Sequence, residues 1–175
     1  MEQERNRQKE IGDLEDKIDT YSDLLYKLAW VRLKNEQDAQ DVVQETFCQY
    51  YKSAPRFESR EHEKAWFIRV TLNGCRKIWR SAWNRHVVLM PEQEQMDQRE
   101  TEADYLARER GDQVLQEVLK LSARYREVIH LFYYMQLSVK EIAAVTGSPE
   151  STVTSRLTRG REILRKRLKE DMDFE

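Results

Sequence analysis

The sequence predicts an all-α protein made of two small helical domains joined by an acidic linker, and three observations predict it. Glycine and proline are scarce (5 and 3 of 175 residues) while leucine, glutamate, lysine, arginine and glutamine are plentiful, a composition that favours helix. Apolar residues recur at helical spacing in several separate stretches. Charge is sorted into blocks that the net value of −2 conceals. From Lys64 to Arg85 there are six cations and no acid; from Pro91 to Asp112 there are eight acids and three arginines; from Ser151 to Lys169 there are seven cations and one acid. Two basic blocks flanking an acidic one point to a polyanion partner that touches both ends of the chain.

Taken in order, residues 1–18 are polar, with Gly12 inside, and read as a frayed tail. A first domain, 19–85, opens with a helix over Asp19–Leu33, where Tyr21, Leu24, Leu25, Leu28 and Val31 fall at helical spacing. A second helix begins near Gln37, with Ala39, Val42, Val43, Thr46, Phe47 and Tyr50 on one side and Asp38, Asp41, Glu45 and Cys48 on the other. Lys52–Glu61, containing Pro55, reads as a loop. Helix resumes near Glu63, is interrupted by the turn-forming pair Asn73-Gly74, and continues through Trp79 and Trp83. Residues 86–112 form the acidic linker, almost without large apolar side chains until Tyr105 and Leu106.

The second domain, 113–171, carries helices at about Gln113–Leu121, Ala123–Tyr134, Val139–Val145 and Pro149–Lys169. Between the last two stands Gly147-Ser148-Pro149. Glycine suits a left-handed helix end, serine an N-cap and proline a first helical position, and a short helix, a tight turn and a second helix together make a helix-turn-helix signature.

The last helix is the strongest functional clue. Val153, Leu157, Leu164 and Leu168 form its buried stripe, supported by Ile163, while Ser151, Thr152, Thr154, Ser155, Arg156, Arg159 and Arg161 point elsewhere. Small hydroxyls let a helix approach phosphates closely, and guanidinium forks bond guanine edges, so this pattern suits major-groove insertion. The Lys64–Arg85 block interleaves its cations with Trp66, Phe67, Trp79 and Trp83. Cations that track a phosphate backbone beside aromatic faces suit unstacked, single-stranded DNA; the alternative is that the tryptophans are simply core. Asn73 can bond an exposed base edge or cap a helix. The face of Asp38, Asp41 and Glu45 is either solvated or a docking surface for a basic partner, and residue chemistry alone leaves both open.

With these motifs in order, the chain resembles the sigma-70 family of RNA polymerase sigma factors. Asp38-Ala39-Gln40-Asp41-Val42-Val43-Gln44-Glu45-Thr46-Phe47 is similar to the family's polymerase-docking helix. Ala65-Trp66-Phe67-Ile68-Arg69-Val70 followed by Asn73 is similar to its promoter-melting region, and Ser151 to Arg161 to its −35-reading helix. The short length, with no room for further domains, matches the extracytoplasmic-function (ECF, group 4) subfamily. The resemblance implies that Asp38, Asp41, Gln44 and Glu45 dock core RNA polymerase. It implies that Trp66, Arg69, Asn73, Arg76, Lys77 and Arg80 serve the melted −10 element, and that Ser151, Thr152, Thr154, Ser155, Arg156, Arg159 and Arg161 serve the −35 duplex. Members are often held inactive by an anti-sigma factor, a further candidate partner. At Gly74-Cys75-Arg76 the chain departs from the family's more usual small-apolar-then-acid run.

Other classes fit less of the chain. No phosphate-cradling glycine loop, GxSxG or HExxH is present and the three histidines lack ligand spacing, so neither an enzyme nor a metal or other cofactor is expected. Cys48 and Cys75 form no CxxC, no run of 18 apolar residues suggests membrane insertion, and a cytoplasmic protein is expected. A stand-alone helix-turn-helix regulator accounts for the last helix but not for the aromatic-basic block or the acidic face. An adaptor for acidic proteins would lack promoter discrimination.

Overall fold

The computed structural model describes residues 1–85 and 113–172, and every regular element among them is a helix. The order is α1 (Glu2–Leu33), α2 (Glu36–Ser53), α3 (Arg60–Arg85), α4 (Gln113–Leu119), α5 (Ala123–Tyr133), α6 (Val139–Thr146) and α7 (Glu150–Met172). The acidic linker and the side chain of Trp83 lie outside the described residues.

Two expectations are corrected. Residues 1–18 are not a frayed tail but the first half of α1. The Tyr50 hydroxyl donates to the Asp13 carboxylate, Lys17 pairs with Glu63 at 2.8 Å, and Leu14 packs on the aromatic core. Those anchors come from α2 and α3, so the polar composition of the stretch could not show them. Asn73-Gly74 does not interrupt α3, which runs unbroken from Arg60 to Arg85. Gly74 instead lets α2 come close: a Cβ there would lie 3.0 Å from a Val42 methyl carbon. Its neighbour Cys75 is fully buried among Ala29, Ala39 and Val42, filling the small-apolar position by size. Burial pushes its thiol up to about 12, which leaves it unreactive.

Local chemistry sets the helix ends. α1 closes with Lys34 in the left-handed region, its N–H on the Trp30 carbonyl, and the Asn35 side chain caps α2 by accepting from Asp38 N–H. The Ser138 hydroxyl and the Glu141 carboxylate form a reciprocal capping box on α6, and those hydrogen bonds hold the Glu141 carboxyl below its usual range. Gly147 ends α6 at φ 70°, as the turn motif requires.

α1, α2 and α3 form one bundle around Tyr21, Phe47, Tyr50 and Phe67; the Tyr21 and Phe67 rings stack at 4.6 Å. α4 to α7 wrap a second set of apolar side chains. The two sets meet: Leu28 of α1 and Ile68 and Leu72 of α3 share one core with Val128 and Ile129 of α5, Ile142 of α6 and Val153 of α7. Each such buried side chain contributes roughly 1.5–3 kcal/mol, so the halves are joined by packing as well as by chain. Close helix approach recurs at Gly160 of α7, where a Cβ would stand 3.0 Å from Ile129 Cγ1.

Candidate functional site

Three surfaces carry the residues singled out from the sequence. On α2, about 100° of rotation per residue puts Asp38, Asp41, Gln44 and Glu45 on one side, away from buried Ala39, Val42, Thr46 and Phe47. Asp41, Gln44 and Glu45 are exposed and Asp38 is half-buried. Gln37 Nε2 donates to Asp41 Oδ1 at 3.0 Å, one turn away. Beside this row lies a groove of about 540 Å³ between α1 and α2, floored by Leu14, Ile18, Tyr26, Val43, Phe47 and Tyr51. Gln44 forms part of its wall, as does exposed Cys48. The sequence reading missed the groove because Leu14 and Ile18, which close one end of its α1 side, belong to the stretch expected as a tail.

On α3, helical rotation places Trp66, Arg69, Asn73, Arg76, Lys77 and Arg80 within about 100° of arc, opposite buried Phe67, Ile68, Thr71, Leu72 and Cys75. Arg69, Asn73, Lys77 and Arg80 are exposed, and Arg76 is half-buried. Trp66 stands apart from the cations in its surroundings. It is half-buried and packs edge-on against Tyr50, Phe57 and Phe67 with centroids 6.0, 5.9 and 5.2 Å away. Arg76 Nη1 donates to Asn73 Oδ1 at 3.1 Å, so the amide and the guanidinium are held side by side.

On α7, Val153, Leu157 and Gly160 face the core. Ser151, Thr154, Ser155 and Arg159 are exposed, and Thr152 and Arg156 are half-buried beside them. The hydroxyls of Thr154 and Ser155 donate back to the helix, to Glu150 and Thr152 carbonyls at 3.0 and 3.1 Å. Arg159 pairs with Glu162 at 3.2 Å. Arg161 is turned away: its Nε donates to the Tyr133 hydroxyl at 2.8 Å and its guanidinium lies 5.0 Å over the Phe132 ring.

A buried ionic group, unnoticed in the sequence, joins the two halves. Glu127 of α5 lies 2.9 Å from Arg32 of α1 and 3.7 Å from Arg76 of α3. Arg32 Nη1 also donates to the Ala123 carbonyl at 2.8 Å. Neighbouring Arg126 is almost fully buried and donates to the Leu119, Leu121 and Arg32 carbonyls. The available signal was the Arg126-Glu127 pair set beside the apolar residues Tyr125, Val128, Ile129 and Leu131; charges are seldom buried without partners. Among the described residues no group of three or more His, Cys, Asp or Glu could hold a metal, and no helix is long and apolar enough to cross a membrane.

Comparison with known proteins places these surfaces in context. Residues 18–85 match the family model for Sigma-70 region 2, and residues 111–164 match that for Sigma-70, region 4. The chain is 31% identical to the ECF RNA polymerase sigma factor SigW of Bacillus subtilis, over 97% of this chain and 98% of that protein. It is also 31% identical to SigV of the same organism, over 84% and 86% respectively. Among solved structures, CnrH in complex with the cytosolic domain of CnrY superposes with a TM-score of 0.64 at 26% identity, covering 90% of this chain and 88% of CnrH. The sigma factor RpoE of Bartonella quintana, solved with the anti-sigma factor NepR, gives 0.66 at 22% identity over 90% and 97%.

Proposed function

Because this chain belongs to the sigma-70 family, within its extracytoplasmic-function group, it is an alternative sigma factor, and we propose that it directs core RNA polymerase to promoters through the three surfaces on α2, α3 and α7. The observation that carries the reading is the coexistence, in one chain, of an exposed acidic row on α2 with separate cationic rows on α3 and α7. A stand-alone regulator needs the last row alone.

On α2, Asp38, Asp41, Gln44 and Glu45 form the docking row for polymerase, and the adjacent apolar groove accepts an apolar side chain of the same partner. On α3, Arg69, Arg76, Lys77 and Arg80 hold the backbone of the melted −10 strand while Asn73 bonds a base edge; Trp66 braces the start of that face through the aromatic cluster. On α7, Ser151, Thr152, Thr154 and Ser155 allow close approach to the −35 duplex, with Arg156 and Arg159 bonding base edges or phosphates. Arg161 reaches that duplex only if it leaves Tyr133 and Phe132. The protein is not itself a catalyst; it acts where core polymerase acts, in the cytoplasm. An anti-sigma factor is a further proposed partner, since RpoE of Bartonella quintana shares the fold and is seen bound to one.

Run-off transcription with purified bacterial core polymerase over a promoter library tests the reading. Discrete starts that appear only with the protein added are expected. Specific duplex binding by the protein alone, without such starts, would favour a regulator instead.

A further inference from the structure

Tyr133 is the last residue of α5 and stands 53% exposed, so its ring contributes little to the core. Its hydroxyl accepts from Arg161 Nε at 2.8 Å. The same guanidinium lies 5.0 Å over the Phe132 ring and 5.5 Å over that of Tyr133, an arrangement in which aromatic faces hold a cation in place. The two rings meet edge-on at 5.1 Å. A half-buried arginine, seated on two rings, therefore fixes one exposed hydroxyl. At 100° per residue, Arg161 leaves α7 within about 20° of Thr154 and about 60° of Thr158. Both threonines are exposed, and their hydroxyls donate back into the helix, to the Glu150 and Thr154 carbonyls at 3.0 Å. Their protons are committed. Tyr133 stands at the same edge with its hydroxyl accepting, which leaves its own proton for a donation outward. An oxygen that accepts from a guanidinium is a stronger donor in turn, and the charge beside it favours an anion.

We propose that Tyr133 is a further DNA-contacting residue: its hydroxyl donates to a backbone phosphate at the edge of the −35 duplex, and Arg161 is the positioning residue that orients and polarises it. The inference rests on the assignment of α7 to that duplex. It gives Arg161 a part in binding while the guanidinium keeps its seat on Phe132 and Tyr133. A phosphate contact carries no sequence information; it fixes the register in which Ser151 and Arg156 meet the bases.

The test uses the full chain and a fluorescein-labelled duplex carrying the −35 element of a promoter mapped by run-off. In a series of such duplexes, one phosphate at a time is replaced by a neutral methylphosphonate. Tyr133→Phe keeps the ring and removes only the hydroxyl. It should weaken binding to the unmodified duplex about fivefold, the scale of one hydrogen bond to a charged group. At one phosphate the methylphosphonate should cost the wild type about fivefold and Tyr133→Phe less than about twofold, because the contact is already gone. Arg161→Gln should reproduce that pattern, and the double variant should lose no more than either single one, since the pair acts as a unit. Should Arg161→Gln lose helicity, the phosphate series with Tyr133→Phe decides alone. Unchanged duplex affinity in Tyr133→Phe would overturn the proposal. So would a loss that no single phosphate accounts for, which would mean that the bond merely ties α5 to α7. Full preference for the −35 sequence in Arg156→Ala would instead remove the assignment of α7 beneath it. Loss of that preference, with no phosphate coupled to Tyr133, would refute the tyrosine contact alone.

Discussion

Arg126 Nη1 donates to the carbonyl of Leu119 at 2.9 Å, and the same nitrogen reaches Leu121 at 2.8 Å. One buried guanidinium therefore closes the end of α4, while its Nη2 reaches the Arg32 carbonyl where α1 ends. Removing it takes a donor from three carbonyls, those of Leu119 and Leu121 in buried hydrogen bonds and that of Arg32 in a part-buried one. Arg126→Met keeps the apolar volume but not the donors, and should cost about 3 kcal/mol. That corresponds to a fall of roughly 10 °C in Tm for a chain of this size. Thermal unfolding followed by circular dichroism checks it; a shift of a degree or two would mean that the carbonyls find other partners.

His130 is buried on α5, stacked on Tyr134, and burial pushes its pKa down from 6.5 to about 4. The folded protein therefore binds fewer protons than the unfolded one between those values. The stabilising contribution is complete above about pH 6.5, declines as pH falls towards 4, and is spent below it. The loss amounts to about 3 kcal/mol. Urea midpoints measured across this window should fall more steeply in the wild type than in His130→Phe, which has nothing to protonate there.

Gly160 should not tolerate a side chain. In Gly160→Ala the new methyl meets Ile129 Cγ1 at 3.0 Å and Cδ1 at 3.3 Å, so α5 and α7 must move apart or Ile129 must leave its rotamer. The expected cost is about 1–3 kcal/mol. Gly160→Ala/Ile129→Val, which trims one of the opposing carbons, should recover part of that loss in the same denaturation assay.

Arg159 is exposed on α7 and pairs with Glu162 at 3.2 Å. Arg159→Ala should weaken binding to the −35 duplex about tenfold. If the lost contact is to phosphate, the slope of log affinity against log salt should become shallower by about 0.9. Fluorescence anisotropy over a salt series measures both. An unchanged affinity and slope would take Arg159 off the DNA surface.

Asp41 sits mid-row on the exposed side of α2. Asp41→Lys reverses its charge without touching the core, and should lower affinity for core polymerase about tenfold or more while leaving helicity and −35 duplex binding intact. Co-migration with core enzyme on a sizing column, against a duplex-binding control, separates these effects.

Much of this was legible in the sequence because periodicity reports which side of a helix is buried. The helix-turn-helix was readable from Gly147 and the apolar spacing of α7, and α2 from the contrast between Val42 and Phe47 on one side and Asp41 and Glu45 on the other. What could not be read depends on contacts between distant segments. The first half of α1 owes its order to Tyr50 and Glu63, some forty residues away. Asn73-Gly74 looks like a turn until Val42 is seen pressed against it. Arg69 and Arg76 were recognisable as cations with a task, yet nothing local reveals that α6 carbonyls hold them.

The shared core of Leu28, Ile68 and Leu72 with the second half has a thermal consequence. Burial of apolar surface carries a negative heat-capacity change and weakens on cooling. The grip between the halves is therefore softest in the cold and firms with moderate warming, whatever the ionic contacts do. The contact between the halves therefore carries a temperature dependence of its own, opposite in sign to that of a grip made by enthalpy alone.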